Sequence, residues 1–274
     1  MLLIIAALSD EVSGILRFSD FESVPCPEDF LAYRHRPEPG SSDAEIGIVL
    51  TGTGRERASR AANWAIDEFK PAQVMSIGYG GGALDTLQPG DLVLGTELYR
   101  LDGSPFYWDA DQLGDPLVPD RGMLTAARAA VEIAGIDFEM GPIVNLPTIA
   151  KTSGMKEWIG RELEGACVDM ESFMVCEVAM DRGIPFVALR AVVDTVETDL
   201  PLLVGQIGQS PSARKWITAL KYIAKHPWDI RSLIRLGKAA SRAKRTITGF
   251  FVEFSRQYEE RGELESLEPA TGGA

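Results

Sequence analysis

Residues 166–194 read ACVDMESFMVCEVAMDRGIPFVALRAVVD. Two apolar, β-branched runs, Ala166–Asp169 and Pro185–Val193, enclose the helix-like segment Met170–Arg182, a strand–helix–strand pattern. The same alternation extends upstream. Leu2–Leu8, Ile46–Thr51, Gln73–Gly78 and Asp91–Leu98 have strand character, while Arg55–Phe69, Arg121–Ala134 and Gly154–Leu163 have helix character. Strands alternating with helices predict an α/β layered fold, with a central mixed sheet flanked by helices. In such folds ligands bind beyond the carboxyl ends of the strands, so the residues that follow each strand are the first candidates for chemistry.

Composition narrows the class. The chain has 274 residues, of which 45% are hydrophobic, enough for a well-buried core. The apolar start, Met1–Leu8, lacks a basic leader and runs straight into Ser9-Asp10-Glu11, which suits a buried first strand better than an export signal. No apolar run approaches the length of a membrane span. Cys26, Cys167 and Cys176 form a sparse, odd set without metal-type spacing, so reduced thiols and a cytoplasmic location are expected. With only His35 and His226, histidine chemistry and a histidine-rich metal site are disfavoured, which leaves carboxylates for acid–base work.

Charge is unevenly spread. The net charge is −13, yet residues 211–250 hold ten basic residues and one acid, so that segment is +9 and the remainder −22. An acidic body argues against general nucleic-acid binding. On a helix, Arg231, Arg235, Lys238, Arg242 and Arg245 share one face, with Leu233, Leu236, Ala240, Ile247, Phe251 and Phe254 opposite. Such a helix either packs on the body or a partner subunit, or lies on an anionic membrane, with residues 211–256 in contact. The expected organisation is a catalytic domain at 1–205, a helical extension at 206–260 and a disordered tail at 261–274. Glu22–Ser42 and Leu101–Asp120 are expected to be loops.

Four segments stand at predicted strand ends: Leu8-Ser9-Asp10-Glu11, Gly78-Tyr79-Gly80-Gly81-Gly82, Val168-Asp169-Met170-Glu171-Ser172 and Arg190-Ala191-Val192-Val193-Asp194. Singly, each has a plain reading as a helix cap, a tight turn, a dipole partner or a strand-end cap. Gly78–Ala83 also mimics a dinucleotide fingerprint, but the residues after it open a helix poorly. Together, three carboxylates and a glycine-rich turn match the needs of N-glycosidic cleavage. The attacking water requires a base. The leaving base requires an acid of raised pKa, and the ribose hydroxyls require a carboxylate acceptor.

This ordered set resembles the nucleoside phosphorylase superfamily, in particular its methylthioadenosine/S-adenosylhomocysteine nucleosidases. Gly52-Thr53-Gly54-Arg55 is similar to the family's turn into its second helix. The resemblance implies that Glu11 activates water and Asp194 protonates the purine. It implies that Met170 and Glu171 hold the ribose, Leu8 lines the 5′ end, and Gly78, Tyr79, Gly80 and Ile149 contact substrate. Arg190 would support the site. It further implies a homodimer, a small-molecule nucleoside substrate, and no metal or organic cofactor. Ser76 and Tyr79 stand where phosphorylases carry phosphate ligands, so hydrolysis is favoured over phosphorolysis, in which phosphate would be co-substrate. The tail, with His226-Pro227-Trp228-Asp229, resembles the hopanoid-associated phosphorylases, which implies a 5′-lipidated adenosine. A catalytically silent nucleoside-binding protein that docks on membranes and a nicotinamide oxidoreductase are the remaining alternatives.

Overall fold

The computed structural model describes residues 1–27, 29–37, 44–103, 112–200 and 230–267. The aromatic cluster Phe106, Tyr107 and Trp108, and the segment holding Trp216, Tyr222 and His226–Asp229, lie outside them. The strands are β1 (Leu2–Ala6), β2 (Glu22–Val24), β3 (Leu31–His35), β4 (Ile46–Leu50), β5 (Gln73–Gly82), β6 (Leu92–Arg100), β7 (Phe138–Asn145), β8 (Cys167–Asp169) and β9 (Phe186–Asp194). The helices are α1 (Ser9–Val12), α2 (Arg55–Phe69), α3 (Arg121–Ile133), α4 (Ser153–Glu162), α5 (Ser172–Asp181) and α6 (Ile230–Leu267).

The strands form one mixed sheet in the order β2-β3-β4-β1-β5-β8-β7-β6-β9, and β9 also pairs with β5. Strands β5, β8, β7, β6 and β9 therefore close on themselves. Closure brings the carboxyl ends of β5, β8 and β9 together, which a fully open sheet would spread apart.

The alternation of β1 sorts the two faces. Leu3 and Ile5 join a cluster with the α2 alanines Ala58, Ala61, Ala62 and Ala65 and with Phe173 and Val175 of α5. Leu2, Ile4 and Ala6 join Met123 and Ala127 of α3 and Ala243, Ile247, Phe250 and Phe251 of α6. Helices on both faces give the three expected layers. The helix ends follow local chemistry: Asp120 accepts from Met123 N and Thr152 from Met155 N, each satisfying an orphan donor.

Several expectations are corrected. The glycine run is no turn: Gly78–Gly82 continues β5, and none of these glycines has a positive φ. With no helix opening there, the nicotinamide reading loses its only support. The loop expected at Glu22–Ser42 contains β2 and β3, which pair antiparallel with each other and with β4. Strand β7 was not legible because Gly141-Pro142 interrupts it. Pro142 falls at the register break between Gly95↔Gly141 and Leu98↔Ile143, where its missing N–H leaves no gap in the ladder. Of the expected basic extension at 206–260, residues 206–229 lie outside the described residues; from Ile230 on it is helical and packs on the body, one of the two placements expected, and α6 continues to Leu267, past the expected start of the tail.

Candidate active site

A cavity of about 420 Å³ opens at these strand ends, within the range of small-molecule sites. Its polar lining comes from Glu11, Thr53, Tyr79, Thr148, Asp169, Glu171 and Asp194, and its remaining walls are mostly apolar. Of the residues predicted from sequence, Leu8, Glu11, Tyr79, Gly80, Ile149, Met170, Glu171 and Asp194 all line it. Gly78 and Arg190 do not. They line an adjoining cavity of about 10 Å³, shared with Glu11, Thr51, Ser76 and Glu171. That is room for about one water molecule.

Glu11 reaches the site from α1. Its Oε2 accepts from Ala7 N (2.9 Å) and Leu8 N (2.7 Å), and its Oε1 from Tyr79 N (3.0 Å). The plain reading as a helix cap is thus met, and the same carboxyl lines the cavity. Burial pushes its carboxyl above the usual range, against the pull of the three N–H groups and Arg190. The glycines of β5 make room for the acids. A Cβ on Gly78 would stand 2.9 Å from Glu11 Oε1, and one on Gly81 would stand 3.2 Å from Asp194 Oδ2.

Glu171 immediately precedes α5 but does not cap it. Asp169 does so, accepting from Ser172 N (2.7 Å) and Ser172 Oγ (2.9 Å). Glu171 is thereby free to face the cavity, where its Oε1 accepts from Gly54 N at 2.7 Å. Burial, with Asp169 adding repulsion, pushes its carboxyl up as well. Arg190 is buried behind these groups and donates to Asp169 Oδ2 (2.8 Å), Ser76 O (3.1 Å) and Ser76 Oγ (2.9 Å). Asn145, buried at the end of β7, bridges Asp169 Oδ1 to Arg55.

Arg55 is spent within the protein. It donates to Asn145 Oδ1 (2.7 Å), Asp102 Oδ1 (2.6 Å), Leu101 O (2.8 Å) and Asn145 O (2.7 Å). With Gly54 N held by Glu171 and four of the five Arg55 N–H groups engaged, little is left here to bind an oxyanion.

Asp194 ends β9. Burial raises its carboxyl, opposed by Lys156, whose Nζ lies 2.7 Å from Oδ2. Sequence reasoning missed Lys156. The signal was present: at helical spacing it shares a face with Ile159 and Leu163, an apolar stripe on which a lysine is out of place. Also missed was the part α6 takes in the cavity wall, through Leu233, Leu236 and Ala240. The same helix reaches Glu11 indirectly. Lys244 Nζ donates to Asp10 Oδ1 (2.7 Å), Tyr79 Oη donates to Asp10 Oδ2 (2.8 Å), and Tyr79 N holds Glu11.

Residues 2–221 match the model of the phosphorylase superfamily. The chain belongs to that superfamily. Among its relatives, the 5′-methylthioadenosine/S-adenosylhomocysteine nucleosidase of Geobacillus kaustophilus is 28% identical over 200 residues, which is 70% of this chain and 83% of the relative. The enzyme of that name from Shewanella loihica is 27% identical over 168 residues, 58% of this chain and 72% of the relative. The fold is shared with the Neisseria meningitidis nucleosidase in complex with methylthio-immucillin-A. That likeness has a TM-score of 0.65 and 23% identity, and covers 91% of this chain and 97% of the other. It is shared too with the futalosine hydrolase of Helicobacter pylori, with a TM-score of 0.67 and 18% identity over 92% of this chain and 97% of the other. Superfamily membership makes the chain an enzyme.

Proposed function

We propose that this enzyme hydrolyses the N-glycosidic bond of a 5′-substituted adenosine and releases adenine. The observation that carries this reading is the convergence of Glu11, Glu171 and Asp194 on one cavity, with space for a single water beside Glu11 and Arg190. In the mechanism Glu11 takes a proton from that water as its oxygen attacks C1′. Glu171 accepts hydrogen bonds from the ribose hydroxyls beside Met170, and its charge favours an oxocarbenium-like sugar. Asp194 gives its proton to purine N7, so the base leaves neutral rather than as an anion. Arg190 orients Ser76 beside the water and Asp169 on the wall of the main cavity, and Tyr79, Gly80 and Ile149 border the substrate. No step calls for a metal or organic cofactor.

Hydrolysis is favoured over phosphorolysis because the second cavity is too small for phosphate and the Gly54–Arg55 groups are already paired. The test is base release from methylthioadenosine, adenosylhomocysteine, inosine and a lipid-tailed adenosine, each with and without phosphate. The expected result is phosphate-independent release of adenine with free sugar. A sugar 1-phosphate formed only with phosphate would establish the phosphorylase. No release, with binding intact, would leave the silent binding protein.

An apolar wall of the cavity supports a reading in which the 5′ substituent is bulky and apolar, of the adenosylhopane type. Leu8 forms that wall together with Leu233, Leu236 and Ala240 of α6. From Ala243 to Phe254 the inner face of α6 is buried in the core and is not open to lipid. The outer face still carries Arg231, Arg235, Lys238, Arg242 and Arg245, all exposed and without an ion-pair partner among the described residues, beside exposed Ile230 and Ile234. This stripe supports electrostatic contact with an anionic membrane. No helix among the described residues is long and apolar enough to cross one. Flotation with phosphatidylserine-containing vesicles at low salt should recover the protein. Recovery should fall steeply by 0.5 M salt and on charge reversal of Arg235 and Arg242, and salt-independent flotation would exclude this mode. The unpaired cysteines support a reducing, cytoplasmic setting. A homodimer follows from the family resemblance and is read directly by the particle's mass in solution.

A further inference from the structure

Lys156 is a buried charge that the mechanism above leaves without a task. It lies on α4 with no side-chain exposure. Its Nζ donates to Asp194 Oδ2 at 2.7 Å, Thr195 O at 2.5 Å and Thr198 O at 2.6 Å. An ammonium has three donors and no acceptor, so all three are spent. Oδ2 of Asp194 must therefore accept, and a neutral Asp194 has to carry its proton on Oδ1. That oxygen has no partner among the described residues, and its residue lines the cavity.

We propose that Lys156 is the positioning residue of the acid: it places the Asp194 proton on Oδ1, for the leaving base, and stabilises the carboxylate that forms when the proton departs. This inference rests on the nucleosidase reading. In the step itself, the Oδ1 proton passes to purine N7 while the electron pair of the C1′–N9 bond withdraws into the base. Asp194 becomes a carboxylate in contact with the ammonium. Lys156 keeps its three protons, and solvent restores the Asp194 proton once the base has left.

The electrostatics suit the task. A carboxyl buried alone would be a poor acid, because its conjugate base would have no compensating charge. An opposite charge in hydrogen-bond contact, out of water, favours that base strongly. The carboxyls of Glu11, Asp169 and Glu171 face the same cavity, but among the described residues Lys156 is the ion-pair partner of Asp194, and the groups packed directly against it add no charge. Cys167 of β8 has its thiol pushed up by burial and stays neutral, and β5 presents Gly81, without a side chain. A purely structural pin is the competing explanation, since Lys156 also ties α4 to the segment after β9. That seam already has bonds of its own, from Ser153 N to Asp199 Oδ1 (2.7 Å) and from Leu200 N to Lys151 O (2.8 Å). A buried ammonium is a costly way to add to it.

The test uses Lys156→Met and Lys156→Gln in the full-length enzyme, with thermal unfolding to verify the fold. Should the Met variant fail to fold, the Gln variant, which keeps hydrogen-bonding atoms without the charge, carries the experiment. Expected is a fall in kcat of roughly 10- to 100-fold, inside the range a positioned acid supplies, with KM within about threefold of wild type. Removing the ammonium raises the Asp194 pKa, so the alkaline limb of the kcat profile should move to higher pH. Unchanged kcat with an unmoved limb would make Lys156 a structural pin and overturn the inference, and so would a rise in KM alone. The carboxyl ¹³C signal of Asp194 gives a readout independent of turnover: it should titrate at higher pH in Lys156→Gln than in wild type. If wild type released no base, the nucleosidase reading would fail on its own, and identical ¹³C titrations would separately refute the pairing.

Discussion

Replacing Asp194 by Asn lowers the rate of base release by about 10²- to 10⁴-fold and leaves substrate affinity nearly intact. The asparagine carbonyl can still accept from Lys156, which places the amide NH₂ where Oδ1 stood. That NH₂ can donate a hydrogen bond to N7, so the purine is still recognised. It cannot give up a proton, so the base must leave as an anion. The loss therefore falls on kcat, and single-turnover rates beside an equilibrium dissociation constant separate the two. The same variant should unfold close to the wild-type temperature near neutral pH, because a neutral amide replaces the neutral acid form and Lys156 keeps its three acceptors. An affinity that collapsed together with the rate would mean that Asp194 binds the base rather than protonating it.

The variant also shows what sequence can and cannot reveal here. Asp194 was legible because it ends an apolar strand-like run, and Glu11 and Glu171 because they follow two others. Strand ends are where layered α/β folds gather their ligands. The glycines of β5 were legible as unusual but not for the right reason. Their use is to let Glu11 and Asp194 lie against the strand, and this depends on β5 pairing with β8 and β9, far away in sequence. Lys156 is a long-range effect of the same kind. Only the fold shows that the buried face of α4 ends at an acid 38 residues on. The basic helix was legible in its periodicity, while its placement stayed open between the body, a partner subunit and a membrane. Periodicity fixes which residues share a face, whereas the partner of that face is set by how much apolar surface the sheet leaves uncovered, and here α6 covers it with Ile247, Phe250 and Phe251.

Glu11→Ala is expected to cost about 10²- to 10⁴-fold in kcat and to remove the acid limb of the pH–rate profile. The wild-type limb should lie above the ordinary 4.5 of a glutamate, because burial raises the Glu11 carboxyl and only the ionised form takes a proton from water. Activity thus rises with pH through the folded-state pKa of Glu11. Stability runs the other way. A carboxyl whose pKa is higher folded than unfolded binds protons more tightly in the folded state. Its contribution is fully present below 4.5 and is lost as pH rises through the folded value. The unliganded enzyme should accordingly gain activity over the pH interval in which Glu11 ceases to help hold the fold. Glu171 and Asp194, both raised by burial, act in the same direction on stability. Comparing unfolding temperature and kcat/KM across pH, in wild type and Glu11→Ala, checks both signs. In the variant the falling part of the stability curve should be shallower, by about 1.4 kcal/mol for each unit by which folding had raised the lost carboxyl. An acid limb that persisted in Glu11→Ala would assign the base to another carboxylate, and Glu171, on the shared wall of the two cavities, would be the residue to replace next.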